Sequence, residues 1–329
     1  MRSLLAANYQ FSSEYRGTLG ANFEDINRGT FTSTSAVSGV SALRQKTDEV
    51  GVKAELRRTM SENLSGAVSI ASSWRDGSNW LKVNSGRGVT EVPDPSDPVN
   101  GFGPEAIFMP TLANRHRDKL KLLADWQAME QLSLQFSAEG GKDTFTTPSS
   151  QGLRDASMNL FNVDFDYALS DTWSLNGYVS WGQQKYLQAR PAGYIMSFDD
   201  TGTYLGLGVT GKPSGKIRVG GGLAFTNDKS VYAQGLEATA PAISSTLLAA
   251  TGGLPDILFR QLALKMYGTY DIDKRSSVRL NLLYQRSQWN DWAWGYNGVP
   301  YTYSDGTTLS QKPDQRVGYV GIAYVYGWP

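Results

Sequence analysis

An all-β fold, an antiparallel transmembrane barrel or part of one, is what this sequence predicts, and three observations carry the reading. First, segment after segment alternates apolar and polar residues. Leu132, Leu134, Phe136 and Ala138 alternate with Ser133, Gln135, Ser137 and Glu139, and Val278, Leu280, Leu282 and Tyr284 with Arg279, Asn281, Gln285 and Ser287. Successive side chains on a strand point to opposite faces, so each segment is a ribbon with one apolar and one polar face. Second, the links between segments are short at one end and long at the other, the asymmetry of outer-membrane barrels with periplasmic turns and extracellular loops. Third, no run of 18 apolar residues exists to make a membrane helix, while 9 Trp, 17 Tyr and 35 Gly suit aromatic girdles and tight turns.

Taken in order, the alternation predicts strands near residues 3–10, 15–28, 46–58, 64–76, 114–127, 131–143, 154–168, 172–187, 199–211, 216–228, 257–272, 276–289 and 314–326. About 12 to 14 strands are expected, each near the ten residues that a tilted strand needs to cross a bilayer. Short turns fall at Phe11–Glu14, Met60–Asn63, Met129–Glu130, Leu169–Asp171, Lys212–Gly215 and Asp273–Arg275, all but Met129–Glu130 rich in Ser, Asp, Asn, Pro or Gly. Long links are expected at 29–45, 77–113, 144–153, 188–198, 229–256 and 290–313. Pro93, Pro95 and Pro98 keep the second of these irregular, and residues 241–253 suit a short helix. The whole chain, 1–329, reads as a single barrel domain.

The apolar rows (Leu120, Leu122 and Trp126; Leu132 and Leu134; Leu262, Leu264 and Met266; Leu280, Leu282 and Ile322) are expected to face lipid. Their alternates (Lys119, Lys121 and Asp125; Gln135; Lys265; Arg279 and Asn281) must then face a concave, wetted side, because a charge among acyl chains costs a few kcal/mol near the midplane. That interior mixes both signs, unlike a single-sign selectivity ring.

Composition excludes several functions. With 31 basic and 31 acidic residues the net charge is zero, which argues against nucleic-acid binding through bulk electrostatics. The lack of Cys excludes disulfides, thiolate metal sites and covalent haem attachment, and a single His, His116, leaves no His-based metal cluster. His116 has no nucleophile motif to serve, Asp164 and Asp166 read as lumen polarity, and Asp94, Asp97, Asp199 and Asp200 read as solvated loop acids. Gly220-Gly221-Gly222 lies inside a strand, without the helix that a phosphate loop requires. No catalytic, cofactor-binding or metal-binding residue is expected, and the chain reads as no enzyme.

The last strand carries Tyr319, Gly321, Tyr324 and Tyr326, similar to the outer-membrane insertion signal, with three residues following. With that end in the periplasm, strand parity puts the first strand's start on the extracellular side, so an incomplete barrel is expected. Single-chain bacterial barrels have even strand numbers.

Three stretches then resemble one family, the MtrB/PioB outer-membrane proteins associated with multihaem cytochromes. They are Asn114-Arg115-His116-Arg117-Asp118-Lys119 leading to Asp125-Trp126-Gln127, the hairpin Asp166–Leu175, and Tyr284-Gln285-Arg286 followed by Asn290-Asp291-Trp292-Ala293-Trp294. The resemblance implies a barrel of about 26 strands, of which this chain is the C-terminal part. It implies a sheath for a periplasmic decahaem c-type cytochrome, often with an extracellular cytochrome as partner, in electron transfer across the bacterial outer membrane. Asn290, Asp291, Trp292 and Trp294 are the candidate partner-docking loop. The alternative reading is a general or solute-selective porin. Outer-membrane lipid is a partner in either case.

Overall fold

The computed structural model describes residues 1–28, 44–84, 88–92, 110–146, 151–251, 253–291, 295–296, 299–300, 302, 304–307 and 314–328. Among these, the strands are β1 (Arg2–Gln10), β2 (Tyr15–Asn27), β3 (Lys46–Ser61), β4 (Leu64–Gly77), β5 (Trp80–Asn84), β6 (Gly88–Val92), β7 (Asn114–Met129), β8 (Leu132–Thr146), β9 (Gly152–Ser170), β10 (Trp173–Ala189), β11 (Tyr194–Ser214), β12 (Ile217–Leu236), β13 (Ile257–Asp271), β14 (Ser276–Asn290), β15 (Gly295–Tyr296), β16 (Val299–Pro300) and β17 (Asp314–Tyr326). Thirteen of them form one antiparallel meander in the order β1-β2-β3-β4-β7-β8-β9-β10-β11-β12-β13-β14-β17. The pairs β5–β6 and β15–β16 are small separate hairpins within links. The sheet does not close: β1 and β17 are its two edges.

Every expected strand is present, the first included, and every expected short turn joins two of them. The long links fare differently. The strands flanking 188–198 run on, β10 to Ala189 and β11 from Tyr194, and β12 continues to Leu236. The expected loop at 144–153 likewise shrinks between Thr146 and Gly152. Asp199 and Asp200, read as loop acids at the start of the expected strand 199–211, lie well inside β11, and Asp199 pairs with Lys185 at 3.1 Å. These extensions escape the alternation rule because they lie beyond the apolar band, where both faces meet water and period two is no longer enforced. The expected short helix forms as α1 (Ala242–Thr251), tied to the tip of the β10–β11 hairpin by the buried Ser244 hydroxyl donating to the Ala192 carbonyl at 2.9 Å.

Register decides which residues share a face. One row of partners runs Leu64–Trp126–Leu134–Phe165–Gly177–Leu207–Leu223–Leu264–Tyr284–Gly318. The neighbouring row, one residue on, runs Asp125–Gln135–Asp164–Tyr178–Gly206–Ala224–Ala263–Gln285–Val317. The first row begins near the turn end of β7 and finishes well up β17, the stagger that strand tilt imposes on a barrel wall. On the apolar face Leu122, Val179, Leu207 and Leu282 are 44%, 47%, 53% and 37% exposed. On the polar face Ser69, Ala67, Ala263, Thr269 and Ser287 are 4–8% exposed. Side chains converge on the inside of a curved sheet and diverge on the outside, so the polar face is the concave one, as the alternation predicts. In the membrane, lipid covers the convex apolar face, where Phe165 and Trp173 lie over Gly177 and Gly211 and fill the gaps those glycines leave.

Candidate partner-facing wall

The concave wall is built in two chemistries. From β3 to β8 it is crowded with charges that satisfy one another. Glu49 on β3 receives Arg75 of β4 at 2.7 Å and Arg115 of β7 at 2.6 Å. Asp143 on β8 takes Arg117 through two bonds of 2.6 Å and lies 3.7 Å from Arg115. The five groups form one network across four strands, with Arg115 at its centre and its side chain only 7% exposed. Two-pronged guanidinium–carboxylate pairing gives such a network its geometry. Further down the wall Lys119 meets Glu139 and Lys53 meets Glu55, both at 2.7 Å. Arg57 lies 3.5 Å from Asp125, which also accepts from Gln135 at 2.8 Å. Asp164 and Asp166 line the same lower region with Asp125 and Gln135.

From β10 to β17 the wall is open and carries few charges. Gly206 and Gly208 of β11 sit beside Ala224 and Gly222 of β12, and Ala224 beside Ala263 of β13. Around this floor Tyr178 lies over Gly206 and Tyr267 over Gly220, so rings occupy the space that glycines leave. Arg279 caps the Tyr267 ring at 4.1 Å, a cation–π contact, and donates to Asn281 at 2.9 Å. Together Asn176, Lys265, Tyr267, Arg279 and Tyr319 border a hollow of about 510 Å³.

Above the charge network, Arg44 staples the mouth. It donates to the carbonyls of Ser78 at 2.7 Å and Leu112 at 2.9 Å and to the Asn114 side chain, with Trp80 under its guanidinium. Burial pushes its pKa down, and the neighbouring Asp76 carboxylate opposes that shift.

The residues expected from sequence fall as follows. Asn290 ends β14, and its side chain accepts from the Leu258 amide at 2.7 Å, fastening the base of the last long link to β13. Asp291 follows it, while Trp292 and Trp294 lie outside the described residues, as do Asp94, Asp97 and the proline run at 93–98. In β17, Tyr319 and Gly321 sit opposite Leu283 and Asn281 on the concave face, and Tyr324 and Tyr326 point outward opposite Val278 and Ser276. The aromatics at the signal's end thus occupy the convex rim near the turns, the place of a girdle. His116 faces outward above the apolar band, stacked on Trp74 with ring centroids 5.2 Å apart. Asp164 and Asp166 share the concave face with Gln135, Tyr178 and Asn176. Gly220-Gly221-Gly222 lies within β12. No group of three or more His, Cys, Asp or Glu suited to a metal ion occurs among the described residues. The Glu49–Arg115–Asp143 network was not anticipated. Its signal was present in the concave parity of Glu49, Arg75, Arg115 and Arg117, but only hairpin register brings them together.

Comparison with known proteins gives the following. No curated protein matches the chain. Among solved structures it is similar to the ferric yersiniabactin uptake receptor FyuA from Yersinia pestis, at 11% identity and a TM-score of 0.46 over 87% of this chain and 52% of that one. It is also similar to the FrpB iron transporter from Neisseria meningitidis, at 11% identity and a TM-score of 0.47 over 100% of this chain and 57% of that one. The toluene transporter TodX from Pseudomonas putida follows, at 12% identity and a TM-score of 0.28 over 86% and 78%. The chain spans about half the length of the first two. The sequence profile described as "Putative outer membrane beta-barrel porin, MtrB/PioB" matches residues 2–328. With an apolar convex band, a polar concave wall and a match across nearly its whole length, this chain belongs to the MtrB/PioB family of bacterial outer-membrane β-barrels.

Proposed function

We propose that the concave wall sheathes and docks a periplasmic multihaem c-type cytochrome, so that its haem chain passes electrons through the outer membrane. The observation that carries this reading is the wall itself: charges of both signs already paired with one another, beside a stretch of glycine and tyrosine that a protein surface can approach closely. Such a wall insulates without imposing the single-sign field of an ion filter. With no Cys and one His, the chain has almost nothing with which to hold a haem itself. The loop at Asn290, Asp291, Trp292 and Trp294 would meet an extracellular cytochrome.

The proposal includes closure by further strands, this chain being the C-terminal part of a larger barrel. The outer edges of β1 and β17 would otherwise present backbone groups that lipid cannot satisfy. Pull-down from native membranes followed by haem staining tests the reading, and a haem-bearing partner is the expected result. Replacing Asp291, Trp292 and Trp294 together by Ala should weaken capture of an outer partner and slow electron transfer across liposomes holding the assembled complex. Electron transfer by the haem-free barrel alone would overturn the reading. A second reading, a solute-selective porin, is favoured by the hollow beside Lys265 and Arg279. High solute flux with no cytochrome co-purifying would establish it instead.

A further inference from the structure

The convex face carries a row of arginines where its apolar band ends. In β13, β14 and β17 the outward positions climb through Met266, Leu264 and Leu262 to Arg260, through Leu282 and Tyr284 to Arg286, and through Val320 and Gly318 to Arg316. Register makes the row contiguous: Arg286 sits directly opposite Arg316, and Arg286 opposes Leu262, one outward step below Arg260. All three side chains are exposed. Arg260 donates to the Asn227 side chain at 2.9 Å, and Arg286 pairs with Asp314 at 3.1 Å. Among the described residues that is one carboxylate for three guanidiniums, and two of the three are like charges placed face to face, which destabilises a strand pair unless something neutralises them.

At the same outward edge of the other end of the sheet, the mirror problem is solved internally. Asp25, Asp48 and Asp76 are successive register partners, and Lys46 bridges the first two at 2.8 and 3.1 Å. The arginine row has a single such bridge among the described residues, Asp314, which pairs with Arg286 and acts on the neighbouring Arg316, while Arg260 has only the Asn227 amide, so the row keeps an excess of positive charge. It lies immediately above leucine, tyrosine and valine side chains that acyl chains cover, on the side of the long links, which is the outer leaflet.

We infer that Arg260, Arg286 and Arg316 bind the phosphate groups of an outer-leaflet glycolipid, whose acyl chains lie along Leu262, Leu264, Tyr284 and Val320. Phosphate matches the planar donor fork of arginine, and a bisphosphorylated headgroup would neutralise the excess charge of the row. The site is independent of any cytochrome and uses only the barrel's convex side.

The test measures binding of bisphosphorylated lipid A and of its dephosphorylated counterpart to the full chain in detergent micelles, by native mass spectrometry. The wild type should retain the phosphorylated lipid in preference. Arg260→Gln, Arg286→Gln and Arg316→Gln combined should reduce that retention roughly tenfold or more, the loss expected when several charge-assisted hydrogen bonds are removed. Retention of the dephosphorylated lipid should not change, and Lys142→Gln with Lys185→Gln, on the same face of other strands, should leave both untouched. If the triple variant does not fold, Arg316→Gln alone, at the edge strand, should still lower retention and flatten its salt dependence. Equal retention of the two lipids by the wild type, or unchanged retention by the variants, would overturn the inference. Competition by inorganic phosphate as effective as by the lipid would overturn it too, by showing a simple anion site.

Discussion

The wall from β3 to β8 and the wall from β10 to β17 face the same lumen and meet its water with opposite means. The first fills its space with long charged side chains locked to one another, such as Arg75, Glu49, Arg115, Asp143 and Arg117. The second empties its space, with Gly206, Gly208, Gly220 and Gly222 as a floor and the rings of Tyr178 and Tyr267 against Gly206 and Gly220. A buried charge demands its partner, whereas a glycine floor demands only that nothing be added. Damage should therefore come from subtraction on one side and from addition on the other.

The largest effect is expected at the network. Glu49→Gln removes the carboxylate between Arg75 and Arg115, both at most 15% exposed, and should cost about 3–5 kcal/mol, the penalty for orphaning a buried charge. Urea unfolding in detergent, followed by gel mobility, would measure it, and a cost below that of an ordinary surface substitution would break the comparison. On the other wall, Gly206→Leu should cost about 1–3 kcal/mol, because the new side chain must displace the Tyr178 ring. Gly235→Ala, with nothing near the added atom, should change little and is the control.

Smaller still is Arg279→Gln, which gives up the contact over Tyr267 and should cost roughly 0.5–1 kcal/mol. If this exceeded the Glu49 effect, the sparse wall would be the more tightly organised of the two. The smallest concerns the β13–β14 turn. Asp273 accepts the amides of Arg275 and Ser276 at 2.8 and 2.9 Å, and these bonds hold its carboxyl below the usual 3.8. A carboxyl lowered by folding stabilises fully above its unfolded value and loses that contribution as pH falls through its folded one. The wild type should lose its margin over Asp273→Asn only below about pH 4. A margin that persisted into stronger acid would show that the bonds matter through shape and not through charge.

Much of this was legible in the chain, for a reason that also explains the rest. Lipid enforces alternation, so strands such as Leu132–Ala138 and Val278–Tyr284 declare themselves, and Ser, Asp, Pro and Gly mark most of the turns between them. Above the band water meets both faces, and Tyr194 to Phe198 open β11 and Lys229 to Leu236 prolong β12 with no alternation to betray them. The charge network was hidden differently. Its parity could be read, yet Glu49 and Arg115 lie 66 positions apart and meet only because two intervening hairpins fix their register. Of the expected docking loop, Asn290 proved to be a fastener for β13, a role that its place after an aromatic strand did not announce.

The overlong strands carry one further consequence. From Tyr194 to Thr203, β11 stands clear of the apolar band and stays paired on both sides, with β10 and with β12. At roughly 3.3 Å per residue and a tilt near 40°, that is a stiff mast about 25 Å tall. A flexible loop of the same length would collapse onto the cell surface. This one holds its helical cap α1 at a set height, where a tag inserted at Gly253 should be readable by antibody on intact cells.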